Sequence, residues 1–323
     1  MRLGKIPESV LKRSVLKQVK TKREEVICGA GLGENCAVFT LPEDAYGLMS
    51  IHQNTVAGEA CARLAVHKAA NNLAAAGAKP VAVLLSLLLP ENLEEASLRG
   101  IMEQAEEACG ELSIQLAGGS TKVSNTVTVP IATAAGIGQR VRKEMPKAKP
   151  WQDVVVTKWI GLEGTFLLAR KKEAELLKRY PLRFIREAQD FDRWLSVIPE
   201  AATAVKSGVC RMLDASEGGI FGALWEFGRN SGVGLEIDLK KLPIRQETIE
   251  ICEFLECNPY ELLSGGSLIL AADNGFELVE ALHEQGIPAA VVGKVTGNND
   301  RVVINEDERR FLELPKSDEI YKF

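Results

Sequence analysis

"LAVHKAANNLAAAGAKPVAVLLSLLLP", Leu64–Pro90, sets two structural periods side by side. Its first half is rich in alanine and leucine and reads as a helix, with Gly77 as C-cap and Pro80 as the stop beyond it. Val81 to Leu89 then reads as a buried strand by its length and β-branched content. A helix delivered straight into such a strand predicts a layered α/β architecture. Two adjacent amides, Asn71 and Asn72, stand inside that helix. Asparagine competes for backbone hydrogen bonds and is a mediocre helix former, so the pair marks a local requirement, either packing or a ligand.

Downstream, Asn92 with Glu95 predicts a capping-box start to a long helix whose Leu98, Ile101, Met102, Ala105 and Cys109 form one apolar face. "IQLAGGSTKVSNTVTVPIATAAGIG" (114–138) reads as strand, glycine turn, strand, with Pro130 implying an edge or a bulge. Upstream, Met1 to Glu25 is basic and amphipathic, with Leu11, Val15 and Val19 at helical spacing, and predicts a helix lying on this domain. "GAGLGENCAVF" (29–39) reads as a glycine loop running into a strand.

The basic, proline-punctuated "VRKEMPKAKP" (141–150) predicts a boundary between a domain at 1–148 and another at 149–323. In the second, the expected elements are a strand over 153–159, a helical stretch over 171–211, and a helix capped by Ser216 that runs to about Asn230. After these come a helix over 245–257, a strand over 267–272, a helix over 275–285 and a strand over 289–296, ending in a polar tail, "ERRFLELPKSDEIYKF".

At 323 residues the chain has room for two ordinary domains. Hydrophobic residues at 46% and charged residues at 26% argue against disorder, and a net charge of −5 with mixed signs disfavours nucleic acid or an acidic membrane as partner. No run approaches the ~18 apolar residues of a membrane span and no signal peptide is visible, so the expected location is cytoplasmic. The seven cysteines, at 28, 36, 61, 109, 210, 252 and 257, lack zinc-site spacing and are expected as reduced thiols.

Three glycine-bearing turns could present backbone amides to an anion: Gly29/Gly31/Gly33, Gly118/Gly119, and the helix start at Ser216 with Gly218 and Gly219. "GAGLG" leads into a strand instead of opening a helix, so it is no dinucleotide fingerprint, and no Walker-type pattern occurs.

Taken in order, "GLGENCAVF", "LAVHKAANNLAAAGAKPVAVLLSLLLP", "AGGSTKV" and "MLDASEGGIFGALWE" resemble the aminoimidazole ribonucleotide (AIR) synthetase superfamily. "NPYELLSGGSLILA" and "IPAAVVGKVT" bring the resemblance closest to its HypE-like branch of hydrogenase-maturation proteins. The resemblance spans nearly the whole chain. It implies an α/β (α+β), PurM-like, two-domain fold, with an N-terminal mixed-sheet domain that pairs into a homodimer and a C-terminal α+β domain. It also implies ATP in a cleft, with magnesium on aspartates, and phosphate transfer to an amide or carboxylate oxygen.

The chain departs from that family where the metal is expected. Aspartate is common in the family at the positions of Asn35, His52 and Asn72. Glutamate is common at Lys122, and an acid or histidine at Ser120. Replacing three carboxylates by neutral groups and one by lysine shifts the site by about five charges, and at an effective dielectric near 20 each unit pair ~4 Å apart is worth about 4 kcal/mol. Asp214 is left as the candidate metal ligand, while Lys68, Lys122, Glu34 and Thr121 remain near the motifs. The HypE-like branch also carries a terminal cysteine, whereas this sequence ends at Phe323, so cyanide-ligand synthesis is not expected.

The function expected is therefore a divergent HypE-like protein whose cleft takes a nucleotide or other anion, with magnesium-ATP catalysis weakened or lost, acting beside a protein partner in a maturation or biosynthetic pathway. The alternative is a working ATP-dependent enzyme that phosphorylates an amide or carboxylate oxygen. The residues expected to bind the nucleotide or anion are Gly31, Gly33, Glu34, Asn35, His52, Lys68, Asn72, Gly118, Gly119, Thr121, Lys122, Ser216, Gly218 and Gly219.

Overall fold

The computed structural model describes residues 3–32, 34, 36–55, 58–143, 145–209 and 211–323. Gly33, Asn35 and Cys210, singled out from the sequence, lie outside them. The chain divides into two compact units, Met1–Ala74 with Ala78–Lys143, and Ala75–Gly77 with Glu144–Phe323.

The first unit runs through β1 (Gly4–Lys5), a short helical turn α1 (Glu8–Val10), β2 (Val26–Cys28), β3 (Val38–Phe39), β4 (Tyr46–Asn54), α2 (Cys61–Ala75), β5 (Lys79–Pro90), α3 (Glu95–Leu112), β6 (Gln115–Ser124) and β7 (Ile131–Arg140). Five of its strands form a mixed sheet in the order β1-β6-β5-β7-β4, and β2 and β3 form a separate ribbon. The alanines of α2 have a packing reason. Apart from half-buried Asn72, every residue of this helix is buried, and it lies so close to the sheet that a Cβ on Gly136 would stand 3.0 Å from Leu73 and 3.1 Å from the Ala69 carbonyl. Bulkier side chains at that contact would push helix and sheet apart.

The predicted stripe of α3 is buried throughout, with Leu98, Ile101, Met102, Ala105 and Cys109 all at 2% exposure or less. Each of the larger ones contributes about 1.5–3 kcal/mol relative to an exposed position. The helix nevertheless begins at Glu95, with Glu94 at the cap and no side-chain capping bond. The expected Asn92–Glu95 box does not form because the Glu95 carboxylate is engaged by Arg13 and Ser14 instead. Pro130 immediately precedes β7, an interior strand. It stands outside the ladder, so neither the expected edge nor a bulge is needed.

The second unit comprises β8 (Asp153–Thr157), α4 (Leu162–Lys171), α5 (Glu173–Leu176), α6 (Leu182–Gln189), α7 (Ile198–Lys206), β9 (Arg211–Asp214), α8 (Gly219–Ser231), β10 (Gly234–Asp238), α9 (Gln246–Phe254), β11 (Leu268–Ala272), α10 (Gly275–Glu284), β12 (Ala289–Thr296), β13 (Arg301–Asn305) and β14 (Glu308–Phe311). Its sheet has the order β14-β13-β10-β12-β8-β11-β9 and packs on a core that includes Phe221, Leu224 and Phe227 of α8. The polar tail expected after residue 307 instead supplies β14, paired antiparallel with β13, and a last 3₁₀ turn, Glu319–Lys322.

Gly119, on β6, is held at φ +152°, and a Cβ there would lie 1.8 Å from the Leu85 carbonyl oxygen of β5. Gly119→Ala should therefore cost about 3 kcal/mol or more, because backbone cannot step aside as a side chain can. Chemical denaturation measures this, and a loss below about 1 kcal/mol would contradict the close approach.

Candidate functional site

The N-terminal segment is not the continuous helix its spacing predicts. After α1 it continues as a π-helical turn, Leu11–Val15, and a 3₁₀ turn, Leu16–Gln18, and then extends at Val19. Polar anchors account for the change. One carboxylate, Glu95, accepts from Arg13 Nε at 2.5 Å, Arg13 Nη2 at 2.6 Å and Ser14 Oγ at 2.6 Å. Further along, Glu106 takes the backbone amide and hydroxyl of Thr21 at 2.5 and 2.6 Å, while Arg23 reaches the side chain of Gln115 and the carbonyl of Ser113. Arg13 and Ser14 bond from the π-helical turn and Thr21 and Arg23 from the extended part, so the segment lies along α3 as a strap.

Between the strap and the sheet lies a cavity of about 390 Å³, lined wholly by the first unit. This lies within the range of small-molecule sites. One wall is aliphatic, with Leu11, Val15, Leu16 and Val19 from the strap and Met102 from α3. The other wall is β6 from Gly118 to Lys122, with Lys5 from β1 and Gly31 and Glu34 from the glycine loop. Because β1 pairs with β6 only at Gly4↔Val123 and Lys5↔Lys122, the rest of the β6 edge lies beyond its reach.

Six residues marked in the sequence thus meet in one place: Gly31, Glu34, Gly118, Gly119, Thr121 and Lys122. Glu34 also accepts from Cys28 Sγ at 3.5 Å, and this hydrogen bond raises the Cys28 thiol above its ordinary range. Sequence reasoning missed Lys5 and the apolar strap as part of a site. The apolar residues at 11, 15, 16 and 19 were a visible signal, but a two-residue strand carries no period from which Lys5 could be placed.

His52, Lys68 and Asn72 are outside the lining of that cavity. His52 sits on β4 with Ala134 of β7 as partner, and its neighbour two residues back, Ser50, donates to the Ala69 carbonyl of α2 at 2.7 Å. Burial and then the charge of Lys68 push the His52 imidazole down to about 4.

Asp214, Ser216, Gly218 and Gly219 lie in the second unit. Gly218, in the left-handed conformation, holds the N-cap of α8 where Ser216 was expected, and no side chain caps the helix. The Gly218 amide donates to Asp318 Oδ2 at 2.7 Å, and the other oxygen of that carboxylate accepts from Leu263 and Ile320. The chain's own carboxylate thus occupies the amide proposed for an anion. Burial pushes the Asp318 pKa up, against the pull of the three amides. Asp214 ends β9, paired with Leu268.

The donors among the described residues do not fit a divalent ion. Among the described residues no group of three or more His, Cys, Asp or Glu is placed to hold one. Magnesium wants carboxylate and phosphate oxygens, whereas the relevant positions hold the Asn72 amide, a His52 imidazole pressed by a neighbouring ammonium, and the Lys122 ammonium.

Comparison with known proteins agrees with this architecture. Residues 33–139 match the family model "AIR synthase related protein, N-terminal domain" and residues 152–305 match "AIR synthase related protein, C-terminal domain". The chain therefore belongs to the AIR synthase related family, on its HypE-like branch. It is 27% identical to a protein of Methanocaldococcus jannaschii provisionally named as a hydrogenase expression/formation protein, over 98% of this chain and 96% of that one. It is likewise 27% identical to the carbamoyl dehydratase HypE of Cupriavidus necator, over 87% and 80% of the two chains. The crystal structure of a hydrogenase maturation protein HypE in complex with ATP superposes with a TM-score of 0.80 at 18% identity, covering 97% of this chain and 95% of that one, a likeness of fold. Among the described residues no helix is long and apolar enough to cross a membrane.

Its hydrogen bonds to Arg13 and Ser14 hold Glu95 at about 2, well below its ordinary 4.5. A depressed carboxylate contributes stability that is complete above pH 4.5 and lost as the pH falls toward 2. Glu95→Gln should flatten the acid limb of stability in that window, as read from thermal midpoints at stepped pH. An unchanged acid limb would show that the strap is held by other means.

Proposed function

We propose that the first unit's cavity binds a nucleotide or a similar amphipathic anion, and that the chain is an ATP-binding, HypE-like protein in which magnesium-assisted phosphoryl transfer is weakened or lost. One observation carries this reading: a single cavity sets an aliphatic wall against glycine backbone and two lysines. The aliphatic wall suits a base, and the cationic strand suits phosphates. The ATP complex of a HypE of the same fold supports ATP as the nucleotide. The names of the Methanocaldococcus and Cupriavidus relatives support a role in maturation chemistry, and a solved HypE–HypF complex of the same fold supports a protein partner.

The second reading, an active enzyme that phosphorylates an amide or carboxylate oxygen, draws on the same ATP complex and on the carbamoyl dehydratase name. The two readings differ in turnover. Calorimetric titration with ATP should give saturable binding, while phosphate release stays at the uncatalysed level with magnesium and candidate amide or carboxylate substrates present. Sustained ATP hydrolysis would favour the second reading, and no binding of ATP, ADP or phosphate would defeat both, since a ligand that prefers the native state must raise its stability.

We further infer a homodimer formed through the first unit's sheet. β4 is an edge strand, and its Met49 and Ile51 are 76% and 70% exposed on the sheet face away from Ser50 and His52. Apolar side chains on an open edge invite pairing with a second copy. Light scattering should give twice the 35.1 kDa chain mass. Met49→Glu with Ile51→Glu should shift the mass to that of one chain with helix content unchanged, and a dimer that survives this change would place the interface elsewhere.

A further inference from the structure

We infer that this cavity takes a phosphorylated ligand without a divalent ion, the ammonium groups of Lys5 and Lys122 supplying the positive charge that a metal would otherwise bring. The inference rests on the nucleotide reading of the same cavity and deepens it.

Lys5 and Lys122 are direct partners across the antiparallel β1–β6 pair, so their side chains leave the same face of the sheet. Both are exposed and both line the cavity. Like charges directly opposite one another across a strand pair oppose pairing unless something negative lies between them. Among the described residues neither lysine has a carboxylate in salt-bridge reach. β1 is also only two residues long, so the repulsion falls on half of its register.

The polar surroundings point to phosphate. Ser120 and Thr121 precede Lys122 on the cavity wall, and the glycine pair Gly118–Gly119 comes before them without side chains that could block an approach to the backbone. Among the described residues of the lining Glu34 is the one carboxylate, against two ammonium groups, so the wall keeps net positive charge. A dication would be repelled by both lysines and would find one carboxylate, whereas an ammonium pair offers a phosphate several donors with no metal to dehydrate.

The test uses the full chain, with ATP and inorganic tripolyphosphate as probes, titrated calorimetrically in EDTA and again in excess magnesium. ATP affinity in EDTA should equal or exceed that in magnesium, because the complexed triphosphate brings less negative charge to the lysines. Lys122→Glu and Lys5→Gln should each weaken EDTA binding of both probes at least tenfold, Lys122→Arg should retain it, and Glu34→Gln should tighten it severalfold. All three positions are exposed, and thermal midpoints without ligand confirm that each variant is folded. Binding that requires magnesium, or lysine variants that bind as the parent does, would overturn the inference and leave the nucleotide reading standing. If neither probe binds the parent under either condition, both fall together.

Discussion

One carboxylate holds the wall of the cavity. Glu95, the first residue of α3, gathers both donor nitrogens that Arg13 offers it and the Ser14 hydroxyl, and so fixes the N-terminal strap along the helix. Leu11, Val15 and Leu16 lie on either side of that anchor and reach the cavity only because the strap is held there. The capping bond forgone at the start of α3 is consistent with this: the same side chain cannot close a capping box and tie down a segment 81 residues earlier in the sequence.

The charge of the cavity follows from the shortness of β1. A longer partner strand would cover the β6 edge and leave no space beside Gly118–Thr121, whereas no partner strand would leave Lys5 unplaced. Two residues of pairing suffice to set Lys5 opposite Lys122 and leave the remaining edge for the cavity. In a family where acidic side chains are expected to anchor magnesium, this chain sets ammonium groups on the cavity wall, and its third cationic candidate, Lys68, presses on His52 elsewhere in the same unit. Substitutions of this kind alter which ion a site will accept while leaving the fold intact.

Periodic elements were legible from the sequence. α2, β5 and the stripe of α3 follow from apolar spacing, because burial of one face is the strongest local signal that a chain carries. The strap was read as a helix because its apolar spacing is helical, but the contacts that break it, from Arg13 to Glu95 and from Thr21 to Glu106, join residues more than 80 positions apart and leave no local trace. The tail was read only as polar for a similar reason. Arg309 and Arg310 look like surface residues, but β14 is set by pairing with β13, and Asp318 is placed by amides of Gly218 and Leu263 far along the chain. Of the candidate site, the glycine and lysine positions on β6 were visible as a motif. That Lys5 and the strap residues Leu11, Val15, Leu16 and Val19 join them was not, since order along the chain does not say which segments share a cavity.

Diffraction from crystals grown with ATP and manganese distinguishes lysine from a metal ion as the source of positive charge, because manganese scatters anomalously and can replace magnesium. Phosphate oxygens should lie against Lys5, Lys122 and the glycine backbone of β6, with no anomalous peak ligated by protein side chains. Two ordered manganese ions bridging the triphosphate to carboxylates of this chain would contradict lysine as that source.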